Sequence, residues 1–191
     1  DVYIDLQFST YFVPSKLTAQ DGMEVSLQNF EKVTIDGNVA ATILGTAAAD
    51  TLIGDAGADT ITGRAGADTL TGGSRSDTFV FSSGDTGITE ATADTITDFS
   101  TGTDKIDVDA PGTYVEVDGT GTADLAAFIT AANASLTTNS DDIYAQYNFT
   151  GTGNTLVVID EDKSGTTTAG DTLIILTGLS TAGGLDASDF I

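Results

Sequence analysis

Four consecutive nine-residue units constrain this chain more than any other feature: GTAAADTLI from Gly45, GDAGADTIT from Gly54, GRAGADTLT from Gly63 and GGSRSDTFV from Gly72. Gly opens each unit, and Asp stands sixth at 50, 59, 68 and 77 with Thr after it. A large apolar residue fills the eighth place as Leu52, Ile61, Leu70 and Phe79. One such unit cannot bury an apolar face alone and must stack on its neighbours. Six loop residues rich in Gly and Ala turn the chain, and three more form a short strand with one inward side chain. Two units complete a coil, so alternate loops stack on the same edge of a parallel β-roll. That geometry sets Asp50 against Asp68 on one edge and Asp59 against Asp77 on the other. Like charges held this close repel, so each pair calls for a cation between its members. The alternative is a set of glycine turns with Asp caps and no ion.

Composition points the same way. The 191 residues carry 29 acidic and 6 basic side chains, a net charge of −23, and no His, Cys or Trp. A Ser-His-Asp triad, a thiol nucleophile, a His-based zinc site and a disulfide framework are thereby excluded. So large a negative charge repels phosphate backbones, which argues against nucleic-acid binding. Most of the acids are Asp, which favours turns and coordination by loops; Glu would suit helix surfaces better. Short-stemmed carboxylates among glycines suit hard cations such as Ca2+. No apolar stretch is long enough to span a membrane. The start at Asp1, without a basic-then-apolar leader, reads as a fragment or a processed product.

The repeats resemble the GGxGxDxUx nonapeptide of repeats-in-toxin (RTX) proteins, whose parallel β-roll holds calcium between stacked loops. The resemblance implies that backbone carbonyls early in each loop join the Asp ligands. The implied set is Gly45, Ala47 and Asp50; Gly54, Ala56, Gly57 and Asp59; Gly63, Ala65, Gly66 and Asp68; Gly72, Ser74 and Asp77. The sequence departs from the pattern at Ala48 and Arg75, where a fourth-position Gly is expected. The segment from Asp94 to Val108 (DTITDFSTGTDKIDV) resembles the stretch that closes the roll in serralysin-type exported proteins. On that likeness Asp94, Asp98 and Asp104 are ligand candidates, and Phe99 and Ile106 belong to the core. The alternative is that these Asp residues only end turns.

The fold class read from the sequence is all-β: a parallel β-roll flanked by strands, with one short helix and a β-hairpin region near the end. Residues 1–44 read as a strand lead-in, from the alternation of Val2, Ile4, Leu6 and Phe8 and from a strand over 29–36; Asp36 or Asn38 is a weak further ligand candidate beside a simple turn. Residues 45–81 are the roll, and 82–191 a capping and signal region. Within the last, Thr122 is the expected helix cap, and Leu125, Phe128, Ile129, Ala132 and Leu136 form an apolar face. Strands are expected over 143–149, 155–160 and 172–176.

The loop between the last two strands carries a second calcium pattern. Asp160, Asp162 and Ser164 stand at positions 1, 3 and 5 of an EF-hand-like loop, Gly165 at 6 and Asp171 at 12. An acidic hairpin tip without metal is the alternative. The ending from Leu185 to Ile191 resembles the carboxy-terminal signal of type I secretion substrates. These likenesses imply a non-enzymatic, calcium-binding module of a protein secreted to, or held on, the surface of a Gram-negative bacterium. Its partners would be calcium, the type I secretion machinery and, in a surface layer, copies of itself. A surface-layer or adhesin parent is favoured, and a secreted hydrolase (a serralysin-like protease or a lipase) is the alternative.

Overall fold

A computed structural model describes residues 16–18, 23–26, 32–36, 38, 40–108, 112–119, 122–139, 142–150, 152–180 and 183–191. The alternating segment Val2–Phe8 lies outside them. Ten short strands alternate between two sheets: β1 Lys16–Thr18, β2 Met23–Ser26, β3 Lys32–Asp36, β4 Ala41–Leu44, β5 Thr51–Ile53, β6 Thr60–Thr62, β7 Thr69–Thr71, β8 Thr78–Phe81, β9 Asp94–Ile96 and β10 Lys105–Val108. Odd-numbered strands stack in parallel as β1-β3-β5-β7-β9, and even-numbered ones as β10-β8-β6-β4-β2. This is the parallel β-roll, and among the described residues the chain is all-β apart from one helix and one 3-10 turn. The strands before Gly45 lie in the same two sheets, so roll stacking reaches back to Lys16.

Register explains the eighth-place apolar column. Leu52 pairs with Leu70 and Leu70 with Ile96 in one sheet; Ile43, Ile61, Phe79 and Ile106 pair in sequence in the other. All seven are 0–1% exposed, so each coil adds a rung to one continuous core. The Thr residues on either side point outward and are half-buried, as strand alternation requires.

Beyond β10 the first sheet continues through β14 (Thr172–Leu176), β13 (Asn154–Ile159), β12 (Ile143–Phe149) and β11 (Tyr114–Asp118). β12, β13 and β14 are antiparallel neighbours, and β14 joins β9 in parallel. β11 and β12 are parallel and connected through α1 (Leu125–Asn139). Phe128, Ala132 and Leu136 of α1 pack with Tyr144, Phe149, Leu156, Val158 and Leu173. The helix is capped by Asp124, whose carboxylate accepts from the Ala127 N–H at 2.9 Å. Asp124 thus replaces Thr122 as the cap, because its side chain stands three residues before a free amide of the first turn. At the end of the chain Phe190 bridges Ile106 of β10 and stacks on Tyr114 at 5.5 Å.

Candidate metal centre

The loops of the roll fall on two edges. One edge carries loops 45–50 and 63–68 and the longer excursion 82–93; the other carries loops 54–59, 72–77 and 97–104. The repeat Asp residues form a ladder along each. On the first, Asp68 accepts from the Asp50 N–H and Asp94 from the Asp68 N–H, both at 2.8 Å. On the second, Asp59 accepts from Ala41, Asp77 from Asp59 and Asp104 from Asp77, at 2.7, 2.8 and 3.0 Å. Asp94 and Asp104 therefore occupy the same place as the nonapeptide Asp residues, one coil further on. Each uses Oδ1 for this bond.

The second oxygen carries the metal argument. Oδ2 of Asp59, Asp68, Asp77 and Asp94 is buried with no hydrogen-bond partner among the described residues, and so is Oδ1 of Asp50. These residues are 0–4% exposed. A buried carboxylate oxygen without a partner is costly, and a cation removes the cost. The opening glycines make room for this arrangement. A Cβ built on Gly54, Gly63 or Gly72 would stand 2.3–2.4 Å from Oδ2 of the Asp five residues on, and one on Gly45 would stand 2.4 Å from the Gly63 carbonyl oxygen. Glycine at those places thus keeps carboxylate and carbonyl oxygens close together. Hard, all-oxygen donors of this kind fit Ca2+ better than a softer metal.

Electrostatics agree. Burial is the largest cause of raised carboxyl pKa values along the ladder, with neighbouring Asp charges adding to it. Asp68 and Asp77 are pushed up to about 6 and Asp94 to about 8, and Asp59 and Asp104 are raised as well. Metal-free, the ladder resists full ionisation at neutral pH.

The first repeat differs from the others. Asp50 Oδ2 accepts from both the Thr46 N–H and its hydroxyl, at 2.6 and 2.9 Å. The corresponding second loop positions, Asp55, Arg64 and Gly73, have φ of 76, 68 and 101°. Thr46 is absent from this left-handed set, and loop 45–50 uses its own side chain where the other loops leave an oxygen bare. Asp98 stands apart from the ladder: its carboxylate accepts from the Gly72 and Gly73 amides at 3.0 and 2.8 Å, tying loop 97–104 to the loop stacked below it.

The hairpin loop does bring its acids together. Ligand oxygens of Asp160, Asp162 and Asp171 lie within 4.8 Å of one another, with Asp160 and Asp171 buried and Asp162 exposed. Here, however, the buried carboxylates are partnered. Asp160 accepts from Ser164 and Gly165, and Asp171 from Glu161 and Thr168. The Ser164 hydroxyl donates to the Thr166 carbonyl. Burial raises the Asp160 carboxyl, whereas hydrogen bonds from Ser164 lower that of Asp162.

Residues 44–79 match the model of the RTX calcium-binding nonapeptide repeat in four copies. The match bears out the repeat reading and calcium as the ion these repeats bind. No curated protein matches the chain. Among solved structures, the solution structure of the AlgE6R3 subunit from the Azotobacter vinelandii mannuronan C5-epimerase is similar at 21% identity, covering 80% of this chain and 77% of that one, with a TM-score of 0.32.

Proposed function

We propose that this chain is a non-catalytic module whose folding is coupled to calcium, within an exported bacterial protein of the cell surface. The observation that carries the reading is the pair of Asp ladders, in which Asp50, Asp59, Asp68, Asp77 and Asp94 each keep a buried, unpartnered oxygen, while Asp104 Oδ2 accepts from the Ser100 N–H. Ions would be held on one edge by Asp50, Asp68 and Asp94, and on the other by Asp59, Asp77 and Asp104. The loop carbonyls of Gly45, Ala47, Gly54, Ala56, Gly57, Gly63, Ala65, Gly66, Gly72 and Ser74 are the supplementary donors. Calcium supplies the positive charge that lets these carboxylates ionise inside a packed roll.

Without the ion, a chain of net charge −23 with many glycines meets both repulsion and a high ordering cost. In calcium-poor cytosol it would stay extended enough for type I export, and outside it would fold. A surface-layer or adhesin parent accords with the absence of His and Cys and with outward Thr-rich sheet faces. The test is circular dichroism and melting in EGTA, then in calcium, then in magnesium or sodium chloride at matched ionic strength. Calcium should restore the β-signal and raise the Tm. Magnesium, which demands octahedral geometry, should not. Equal rescue by sodium or magnesium would reduce the acids to a solvated surface.

A further inference from the structure

Where the ladder of the second edge ends, another segment stands in the place of a coil. Each lower rung passes its N–H to the next Asp: the Asp59 N–H donates to Asp77, and the Asp77 N–H to Asp104. The Asp104 N–H turns back instead to the Ser100 carbonyl of its own loop, at 2.8 Å. β10 is the last strand of its sheet. Beyond it lie the 3-10 turn Ala187–Asp189 and then Phe190 and Ile191. Phe190 forms a parallel bridge with Ile106 and is buried in the roll core, so it extends the column Ile43, Ile61, Phe79 and Ile106. The Ile191 N–H donates to the Ile106 carbonyl and the Val108 N–H to the Ile191 carbonyl, both at 3.0 Å.

Asp189 joins this segment to loop 97–104. It is 1% exposed. Its Oδ1 accepts from the Gly102 N–H at 2.8 Å and lies 3.7 Å from Lys105 Nζ, while Oδ2 accepts from the Asp186 N–H at 3.0 Å. Lys105 Nζ also donates to the Ser188 carbonyl at 2.7 Å. From below, the loop is tied at Asp98 to the Gly72 and Gly73 amides, and at the Thr103 carbonyl to the Ser76 hydroxyl. Gly102 is exposed, with φ of 71°, and Asp189 ties it from the other side. We propose that Asp189 is a positioning residue for the calcium site of Asp77 and Asp104: bonded to Gly102, it holds loop 97–104, and with it Asp104, as a further coil would. Asp77 keeps a bare, buried Oδ2, and Asp104 is the next carboxylate of its ladder. Fixing the loop in advance removes an ordering cost from ion binding. The partner that does so lies 87 residues away and outside every repeat column.

This inference rests on the calcium reading of the roll, and the experiment separates the two. Calcium affinity is measured on the whole chain by isothermal titration for wild type, Asp189→Ala and Asp189→Asn, and for Asp189→Ala combined with Asp104→Asn or with Asp94→Asn. Asparagine keeps an oxygen for the Gly102 amide. Asp189→Ala should weaken one site about tenfold or more, as loss of a partner behind a metal ligand does, and Asp189→Asn should recover most of that loss. The effect should vanish when Asp104 is already Asn and persist when Asp94 is, because Asp94 belongs to the other edge. Equal loss in both backgrounds would mean that Asp189 acts through overall stability alone, and unchanged affinity would mean that the loop is fixed without it. Either result overturns the role of Asp189 and leaves the roll sites standing. Wild-type affinity in both Asp104→Asn and Asp94→Asn would overturn the calcium reading itself. Circular dichroism at saturating calcium checks that each variant is folded. A further readout needs no variant: in calcium the wild-type Gly102 amide should be protected from hydrogen exchange, and free exchange there would overturn the tie to Asp189.

Discussion

Asp68→Asn separates a carboxylate that binds metal from one that only accepts a hydrogen bond. Asparagine keeps Oδ1 for the Asp50 N–H and replaces the bare Oδ2 with an amide NH2. In metal-free protein the native Asp68 carboxyl is raised from 3.8 to about 6, chiefly by burial. At 1.36 kcal/mol per pKa unit, ionising it at neutral pH costs the fold about 3 kcal/mol. Removing the charge recovers that cost, less about 1 kcal/mol because a neutral acceptor binds the Asp50 amide more weakly. Asp68→Asn should then stabilise the EGTA-treated chain by about 1–2 kcal/mol.

In calcium the sign reverses. Each site contributes RT ln(1 + [L]/Kd), or about 1.4 kcal/mol at ten times Kd. Asp68 stands between two gaps on its edge, so its loss should cost roughly 1.4–3 kcal/mol. Urea melts followed by circular dichroism read both arms, and for a chain of this length 1 kcal/mol moves Tm by about 2–4 °C. Destabilisation of similar size with and without calcium would show that the carboxylate serves as a hydrogen-bond acceptor alone. No loss in calcium would remove Asp68 from any site.

Thr46→Gly should lower metal-free stability by about 1–2 kcal/mol, the worth of a hydroxyl bonded to a buried charge, and should shift the calcium midpoint of folding to lower concentration by freeing Asp50 Oδ2; a midpoint that rises would refute the argument. Acidity should act oppositely on the two forms. Because the native pKa values of Asp68, Asp77 and Asp94 are raised, to about 6, 6 and 8, the metal-free fold binds more protons than the unfolded chain. Its stability is therefore full below the ordinary carboxyl range and is lost as pH rises through about 6 to 8. In calcium, ligands must be deprotonated and stability should rise over the same window. Melts at several pH values in EGTA and in calcium check this, and a metal-free stability that rises with pH would contradict it.

The repeat columns made the roll legible because each column reports one physical demand. Leu52, Ile61, Leu70 and Phe79 are a core rung every nine residues, and Gly54, Gly63 and Gly72 are places where a Cβ would strike the carboxylate of the same loop. The hairpin strands were legible from unbroken apolar runs such as Leu173 to Leu176, buried on both faces. What lay hidden was set by neighbours far apart in sequence. Strands β1 to β3 stack in register with the later strands although the sequence before Gly45 lacks the nonapeptide Asp column. Ala48 looks like a small departure in the first loop, yet in that loop the Thr46 N–H and hydroxyl both donate to Asp50 Oδ2. Asp98 has the spacing of a ligand, but the stacked loop offers it two amides first. Thr86, outside every repeat column, bonds at once to the Asp94 N–H and to the Leu173 carbonyl across 87 residues. The bonding of each carboxylate in this roll therefore depends on which N–H reaches its second oxygen, from its own loop at Asp50 and Asp104 and from the stacked loop at Asp98.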